Sequence, residues 1–183
     1  MIFLFKMFYP WQILLLHEKK IIHRDIKPYN IFIKEIPEEK DLDDYTGNDC
    51  IIKFANFGSV IEIDKNDNIQ IGTILYTATE ILKNLKCDEK CDMWSLYVNL
   101  YYVYFGNTPY TTKYDINSIM DKIYSNNFIY IFSDIPTLEI LFKKLMVINP
   151  EERMTHEKFY EYVNSKEFMQ PDTKYKENIY RNI

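Results

Sequence analysis

Glycine and cysteine are both scarce in this sequence, and each shortage excludes something. The 183 residues include only four glycines, all far apart, so there is no G-x-G-x-x-G loop of the kind that cradles nucleotide phosphates. The three cysteines, Cys50, Cys87 and Cys91, are an odd set that predicts no disulfide framework. Cys87 and Cys91 have no histidine near them, so we expect reduced thiols rather than a zinc site.

A positive charge balance and a long apolar run are also missing. The net charge of −5 argues against a general nucleic-acid or anionic-membrane surface. Residues 1–16 are strongly apolar, but Lys6 and Pro10 interrupt them, no small-residue cleavage site follows, and the run is short for a membrane span. We therefore expect no nucleic-acid or membrane partner. The absence of an Asn-x-Ser/Thr acceptor site fits an intracellular, cytoplasmic protein, with a nuclear location still open.

What remains is the composition of one folded domain. The chain is 47% hydrophobic and 16% aromatic, which supports a sizeable core. Two short strands are predicted over residues 31–34 and 51–54. Helices are predicted from near Pro10, over residues 92–105 up to Gly106, over about 114–124 and 137–148, and from a cap at Thr155 to about Phe168. We expect a mainly α fold with short β-hairpins.

Two segments are strongly polar. Residues 35–49, between the predicted strands, contain seven acidic residues and one lysine, which is typical of a solvated, charged insert. A docking role for basic partners has no support in the sequence. Residues 171–183 are predicted to form a loose polar tail.

The chemistry is concentrated in residues 23–30, which read HRDIKPYN. This spacing suits phosphoryl transfer: the Asp25 carboxylate can accept a hydroxyl proton, Lys27 can lie near the transferring phosphate, and the Asn30 amide oxygen can ligate Mg2+. The stretch resembles the catalytic loop of eukaryotic-type protein kinases, H-R-D-L-x-x-x-N. Upstream, Lys20 stands where that family usually has a chain-reversing glycine, which predicts a left-handed residue there.

A second motif departs from the family at its metal ligand. Asn56-Phe57-Gly58 resembles the kinase D-F-G motif, with Asn56 in place of the aspartate that ligates Mg2+ in the family. Asparagine offers one neutral oxygen rather than a carboxylate, and hard divalent cations favour carboxylates. We therefore predict that Asn56 is a weakened ligand at best.

The segment from Gly72 to Leu82 resembles G-T-x-x-Y-x-A-P-E-I-L, with Thr79 in place of the proline. The resemblance implies that Thr73 hydrogen-bonds Asp25 and Lys27, and that the specificity is of the serine/threonine type. It also implies that Glu80 forms a structural pair with Arg153, which lies in an N-P-x-x-R-x-T stretch close to the family pattern.

The predicted central helix starts with a D-x-W-S-L motif at Asp92. By resemblance to the family, Asp92 accepts backbone amides from the catalytic loop. Tyr97 replaces a family glycine and must find room in the packing.

The activation segment is assigned to residues 56–80. In the family, the arginine matching Arg24 pairs with a phosphate on this segment. Ser59 is the only hydroxyl residue between Gly58 and Gly72. We therefore expect ordering that does not depend on phosphorylation, with acidic side chains as fixed partners: Glu62, Asp64 and Asp67.

The resemblance covers residues of about 10–168, so residues 1–170 are assigned to the larger kinase lobe. No V-A-I-K-like strand or partner helix precedes residue 10. The resemblance therefore implies that the smaller β-rich lobe, which holds adenine in the family, is missing, and that this chain alone binds ATP poorly.

Two function classes stay open. The first is the catalytic half of a serine/threonine kinase that uses ATP and Mg2+, acts on a protein substrate and works with a separate smaller lobe. The second is a pseudokinase fragment that serves as a protein-interaction scaffold. By resemblance, the catalytic residues are Asp25, Lys27 and Thr73, the cofactor and metal contacts are Lys27, Asn30 and Asn56, and the structural residues are His23, Arg24, Phe57, Gly58, Glu80, Asp92 and Arg153.

Overall fold

A computed structural model describes residues 11–34, 51–63, 65, 72–83, 85–110, 116–125 and 136–169. Within these ranges the helices are α1 (Trp11–Glu18), α2 (Thr79–Leu82), α3 (Lys90–Phe105), α4 (Ile116–Ser125), α5 (Pro136–Leu145), α6 (His156–Val163) and α7 (Lys166–Met169). The strands are β1 (Ile21–Ile22), β2 (Ile31–Lys34), β3 (Ile51–Phe54) and β4 (Ile61–Glu62). The acidic insert 35–49 and the tail 171–183 lie outside the described residues.

The strands form two small antiparallel pairs. Strand β2 pairs with β3, with Ile31 opposite Phe54, and β1 pairs with β4, with Ile22 opposite Ile61. Both strands predicted from the sequence are present with the predicted bounds. The expectation of a mainly α fold with short β-hairpins is confirmed.

Helix α3 is the centre of the core. Its side chains from Cys91 to Tyr101 are all buried, whereas Tyr102 is 39% exposed. Tyr97 finds its room in an aromatic cluster, where its ring meets Phe142 edge-on at 5.4 Å. The helix ends at Gly106, whose φ of 74° suits glycine.

Two predicted helices are shorter than the sequence indicated. Helix α5 stops at Leu145 rather than near residue 148, because the Lys144 carbonyl, which would accept the N–H of residue 148 in a longer helix, accepts the Met154 N–H at 3.1 Å instead. The single helix predicted to reach Phe168 is split into α6 and α7. The Ser165 hydroxyl accepts a bond from the Phe168 backbone and starts α7 anew.

The first helix, α1, ends in the predicted left-handed turn. Lys20 has a φ of 60°, and its backbone N–H donates to His17 O at 2.9 Å. Across the described segments, no helix combines the length and the hydropathy that crossing a bilayer requires.

Candidate active site

The catalytic loop, defined here as residues 23–27, is held by hydrogen bonds to the buried helix α3. The Asp92 carboxylate accepts the backbone N–H groups of His23 and Arg24, each at 2.8 Å. Seven residues further along the helix, Asn99 Nδ2 donates to the Ile26 carbonyl at 3.1 Å. These bonds fix both ends of the loop, and they hold Arg24 at a φ of 64°, a region that non-glycine residues seldom adopt.

Asp25, Lys27 and Thr73 form one closed network. The Lys27 ammonium lies 2.8 Å from Asp25 Oδ2 and donates to Thr73 Oγ1, also at 2.8 Å. Thr73 returns to the aspartate through its backbone N–H, 3.2 Å from Asp25 Oδ1. Asp25 is itself only 6% exposed. The three residues assigned to catalysis are thus brought together around one buried carboxylate.

Gly72 makes this approach sterically feasible. Its φ is 108°, and a Cβ atom there would lie 2.9 Å from the backbone carbonyl oxygen of Arg24 and 3.0 Å from Thr77 Oγ1. A backbone oxygen cannot move aside as a flexible side chain does. Only glycine therefore lets the activation segment place Thr73 against Asp25.

Asn30 and Asn56, the two residues assigned to the metal, face each other. Asn30 Nδ2 donates to Asp25 O and Oδ2, at 2.8 and 2.9 Å. Asn56 Nδ2 lies 3.4 Å from Oδ1, the side-chain oxygen of Asn30. Asn56 adopts a left-handed backbone, with φ at 61°, and its own Oδ1 would lie 3.4 Å from a Cβ at Gly58.

This donor set does not fit a carboxylate-held Mg2+. The two side chains offer neutral amide oxygens, whereas Mg2+ is held in proteins through one or two carboxylates. Both Asp25 oxygens already accept protein hydrogen bonds. Among the described residues there is no cluster of three or more His, Cys, Asp or Glu side chains that could hold a metal ion.

His23 and Phe57 join the catalytic loop to the Asn56-Phe57-Gly58 motif. The rings lie 5.4 Å apart between centroids. His23 accepts the Asp25 backbone N–H at Nδ1 and donates from Nε2 to Ala55 O at 3.2 Å, which defines its tautomer. Phe57 is nevertheless 52% exposed.

Arg24 connects the catalytic loop to the start of the activation segment. Its Nε donates to the Ser59 carbonyl oxygen at 2.6 Å, and the residue is buried. Glu62, one of the expected anionic partners, pairs instead with Lys65 at 2.8 Å, where both side chains are exposed. Asp64 and Asp67 lie outside the described residues.

Glu80 and Arg153 form a buried bidentate clamp. The two guanidinium nitrogens lie 2.7 and 3.0 Å from the two carboxylate oxygens. Arg153 also donates to Lys90 O at 2.7 Å and lies over the Trp94 ring at 5.1 Å. The clamp therefore joins α2, the start of α3 and the segment before α6.

Several residues that hold the site received no role from the sequence. Ser95 Oγ donates to Tyr76 O at 2.7 Å, and His17 Nε2 lies 2.9 Å from Asp92 Oδ2. Burial raises the pKa of the Asp92 carboxyl, but the hydrogen bond and charge of His17 and the His23 amide outweigh it, and the pKa lies below its ordinary value. The sequence could have pointed to Asn99 and Ser95, because a polar residue buried in an apolar helix needs a hydrogen-bond partner.

Cys87 and Cys91 are both free thiols. The hydrogen bond between them lowers the pKa of Cys87, while burial raises the pKa of Cys91.

Comparison with known proteins agrees with this geometry. A family model described as protein kinase domain matches residues 12–168. Serine/threonine-protein kinase ATG1b of Arabidopsis thaliana is 33% identical over 153 residues, 80% of this chain and 20% of that protein. Aurora kinase of Dictyostelium discoideum is 31% identical over 140 residues, 76% of this chain and 33% of that protein. Serine/threonine-protein kinase ULK3 of Xenopus laevis is 28% identical over 153 residues, 81% of this chain and 30% of that protein.

The helical fold and the Asp25 network define the class of the molecule as the larger, mainly helical lobe of a eukaryotic-type kinase. The chain belongs to the protein kinase family, and its relatives are of the serine/threonine type. It spans about a fifth to a third of the length of the three relatives named above.

Proposed function

We propose that this chain is the catalytic half of a protein serine/threonine kinase, which transfers the γ-phosphoryl group of ATP to a Ser or Thr hydroxyl of a protein. The observation that supports this proposal best is the closed network of Asp25, Lys27 and Thr73. A mere structural turn has no need of a buried carboxylate beside a lysine and a threonine from a distant segment.

In the proposed reaction Asp25 is the proton acceptor. Its Oδ2 already accepts bonds from Lys27 and Asn30 at 2.8 and 2.9 Å, whereas Oδ1 has only the longer contacts from Thr73, at 3.2 and 3.4 Å. We therefore assign Oδ1 to the substrate hydroxyl. As the hydroxyl oxygen bonds to phosphorus, its proton passes to Asp25 and the bond from phosphorus to the leaving ADP oxygen breaks.

Lys27 stabilises the charge of this step. Its ammonium is already fixed between Asp25 and Thr73, so little reorganisation is required when a phosphoryl group arrives beside it. Because Asn30 and Asn56 do not offer a carboxylate to Mg2+, no step is assigned to the metal. The proposed activity of this chain alone is accordingly weak.

A second function is favoured by the metal side of the site. Asn56 donates towards the amide oxygen that would face the metal, which suits a pseudokinase that acts as a scaffold for other proteins. This candidate needs neither ATP nor phosphoryl transfer.

Nucleotide binding and transfer separate the two candidates. The purified chain is mixed with ATP, with or without Mg2+, and with peptides that carry Ser, Thr or Tyr acceptors. The kinase proposal predicts phosphate on the Ser and Thr peptides, and its loss in the shape-matched variant Asp25→Asn by about 10² to 10⁴-fold. Absence of both transfer and any nucleotide-induced rise in melting temperature supports the scaffold. Saturable, Mg2+-dependent ATP binding contradicts a pure scaffold.

We also propose that a smaller lobe, from a preceding segment or a partner chain, covers the exposed face of Phe57. This ring is 52% exposed although it lies against buried His23. In a Phe57→Trp variant, the fluorescence of the added tryptophan, obtained by subtracting the wild-type spectrum, should shift to the blue when that lobe is present. An emission that does not shift would show that residue 57 stays in water.

The free thiols of Cys87 and Cys91 support a reducing compartment, and we propose a cytoplasmic location. Fractionation of cells that express the tagged chain tests this directly, and recovery from an oxidising compartment would contradict it.

A further inference from the structure

Two free thiols meet where the chain enters helix α3. Cys87 is partly exposed, and Cys91 is buried in the first turn of the helix. The turn between them is closed by Asp88, whose carbonyl accepts the Cys91 N–H at 3.1 Å and whose carboxylate accepts the Lys90 N–H at 2.9 Å. This turn brings the two thiols into hydrogen-bond contact. The side chains therefore point towards each other, as a disulfide requires.

The contact makes the two thiols unequal. Cys91 donates its S–H to the Cys87 sulfur, and this bond, with the charge of Arg24 acting in the same direction, holds the pKa of Cys87 below its ordinary value against the effect of burial. Burial and the same hydrogen bond raise the pKa of Cys91. Because the thiolate is the reactive form of cysteine, the partly exposed thiol is also the more nucleophilic one. An oxidant in solution therefore meets Cys87 first.

We propose that Cys87 and Cys91 are a peroxide-sensitive pair that reversibly forms a disulfide at the start of α3. In the first step the Cys87 sulfur attacks hydrogen peroxide and the O–O bond breaks. Cys87 becomes a sulfenic acid, and the released hydroxide takes up the thiol proton to give water. In the second step the Cys91 sulfur attacks the Cys87 sulfur, the S–O bond breaks, and the hydroxyl group leaves with the Cys91 proton as a second water. The two sulfur atoms together lose two electrons, which reduce the peroxide.

The pair lies next to the residue that anchors the catalytic loop. Cys91 directly precedes Asp92, whose carboxylate accepts the backbone N–H groups of His23 and Arg24. The Cys91 carbonyl also accepts the hydroxyl of Ser95 at 3.2 Å. A bond formed at Cys91 is therefore made among the contacts that hold the candidate active site. Such a reversible bridge agrees with the proposed cytoplasmic location, where disulfides are usually transient and redox-sensing.

Peptide mapping of the oxidised chain tests the pairing directly. The whole reduced chain is treated with an equimolar amount of hydrogen peroxide, alkylated and digested with trypsin. Lys90 lies between the two cysteines, so trypsin cuts between them and only a disulfide keeps the two peptides together. We expect this linked pair of peptides in the folded chain and its loss after dithiothreitol. Absence of the linked pair, or a disulfide from either thiol to Cys50, overturns the proposal.

Single substitutions in a Cys50→Ser background test the order of the two steps. Cys87→Ser should lose the reaction with peroxide, because only the buried Cys91 remains. Cys91→Ser should still react at Cys87 but stop at the sulfenic acid, which dimedone labels. In urea the two variants should react equally, since the fold alone makes the thiols unequal. Equal dimedone labelling of the two variants in the folded state contradicts the assigned order.

The Cys50→Ser protein is the matched control, and it should form the linked pair as wild type does. The peptide map of wild type needs no substitution, so the pairing stays testable even where a variant folds poorly. None of these measurements uses a nucleotide or phosphoryl transfer. The thiol pair and the proposed kinase function can therefore fail independently of each other.

Discussion

The two sides of the candidate site differ in how completely their polar groups are matched. On the side of the proposed proton acceptor, Asp25 is contacted by Lys27, Asn30 and Thr73 at 2.8 to 3.2 Å. On the metal side, Asn56 reaches Asn30 across 3.4 Å, with a neutral amide on each residue. The loop, the activation segment and the central helix all converge on the first side, while the second offers no carboxylate of the kind that Mg2+ favours.

The acceptor network is held together by contacts within the protein. Its partners are protein groups, and they are oriented by Asp92 and Asn99 on α3. The metal side, in contrast, has one long contact between two neutral amides. Substitutions can therefore weaken both sides, repair one, or disturb the other.

The largest loss of stability is expected when the clamp between Glu80 and Arg153 is broken. In Arg153→Met the carboxylate of Glu80 remains buried without its clamp, and breaking one side of such a pair costs about 3 to 5 kcal/mol. Urea unfolding of the variant and of wild type measures this cost. The double variant Glu80→Leu/Arg153→Met, which leaves no charge unpaired, should recover part of it. A single variant as stable as wild type would show that the clamp is dispensable.

The next largest effect is expected from Asn56→Asp, which places a carboxylate on the metal side and leaves the acceptor side unchanged. In Asn56→Asp a carboxylate faces Asn30 Oδ1, and the donor that now spans 3.4 Å is gone. The two oxygens repel each other until a cation lies between them, so Mg2+ should raise the melting temperature of this variant and not of wild type. If transfer is measurable, its rate should rise by about two to three powers of ten, equivalent to about 3 to 4 kcal/mol.

A matched control for this repair is Asn56→Leu, which has a similar size and no oxygen. It should show neither the Mg2+ response nor the gain in rate. An Asn56→Asp protein that is no more active, yet binds Mg2+, would place the limit on the smaller lobe rather than on the metal ligand.

The parts of the fold that the sequence predicted are those determined by residues close together in the chain. The two strands and the central helix follow from local periodicity, and the end of that helix follows from Gly106. The closeness of Asp25, Lys27 and Thr73 was expected through the family resemblance, and their catalytic roles stay predictions. Lys20 was expected in a left-handed turn, which the structure shows.

The parts that were wrong or missed depend on contacts between distant residues. The end of α5 is set by the Met154 N–H, which takes the Lys144 carbonyl that residue 148 would use in a longer helix. His17 and His156 are 139 positions apart, and no periodic pattern links them. A single histidine in an apolar helix carries no sign of which carboxylate it will meet.

The smallest effect is expected on the acceptor side, from Gly72→Ala. The new Cβ would lie 2.9 Å from the Arg24 carbonyl oxygen at a φ of 108°, and such local strain costs about 1 to 3 kcal/mol. Gly106→Ala is the matched control, since its φ of 74° is also positive but nothing lies within 4 Å of the added atom. The difference in unfolding free energy between the two variants therefore isolates the clash. If the activation segment relieves it by moving, Thr73 must leave Asp25, and hydrogen exchange at the Thr73 amide should accelerate in Gly72→Ala only. Equal costs and equal exchange in the two variants would mean that Gly72 serves only its backbone angle and does not set the distance between Thr73 and Asp25.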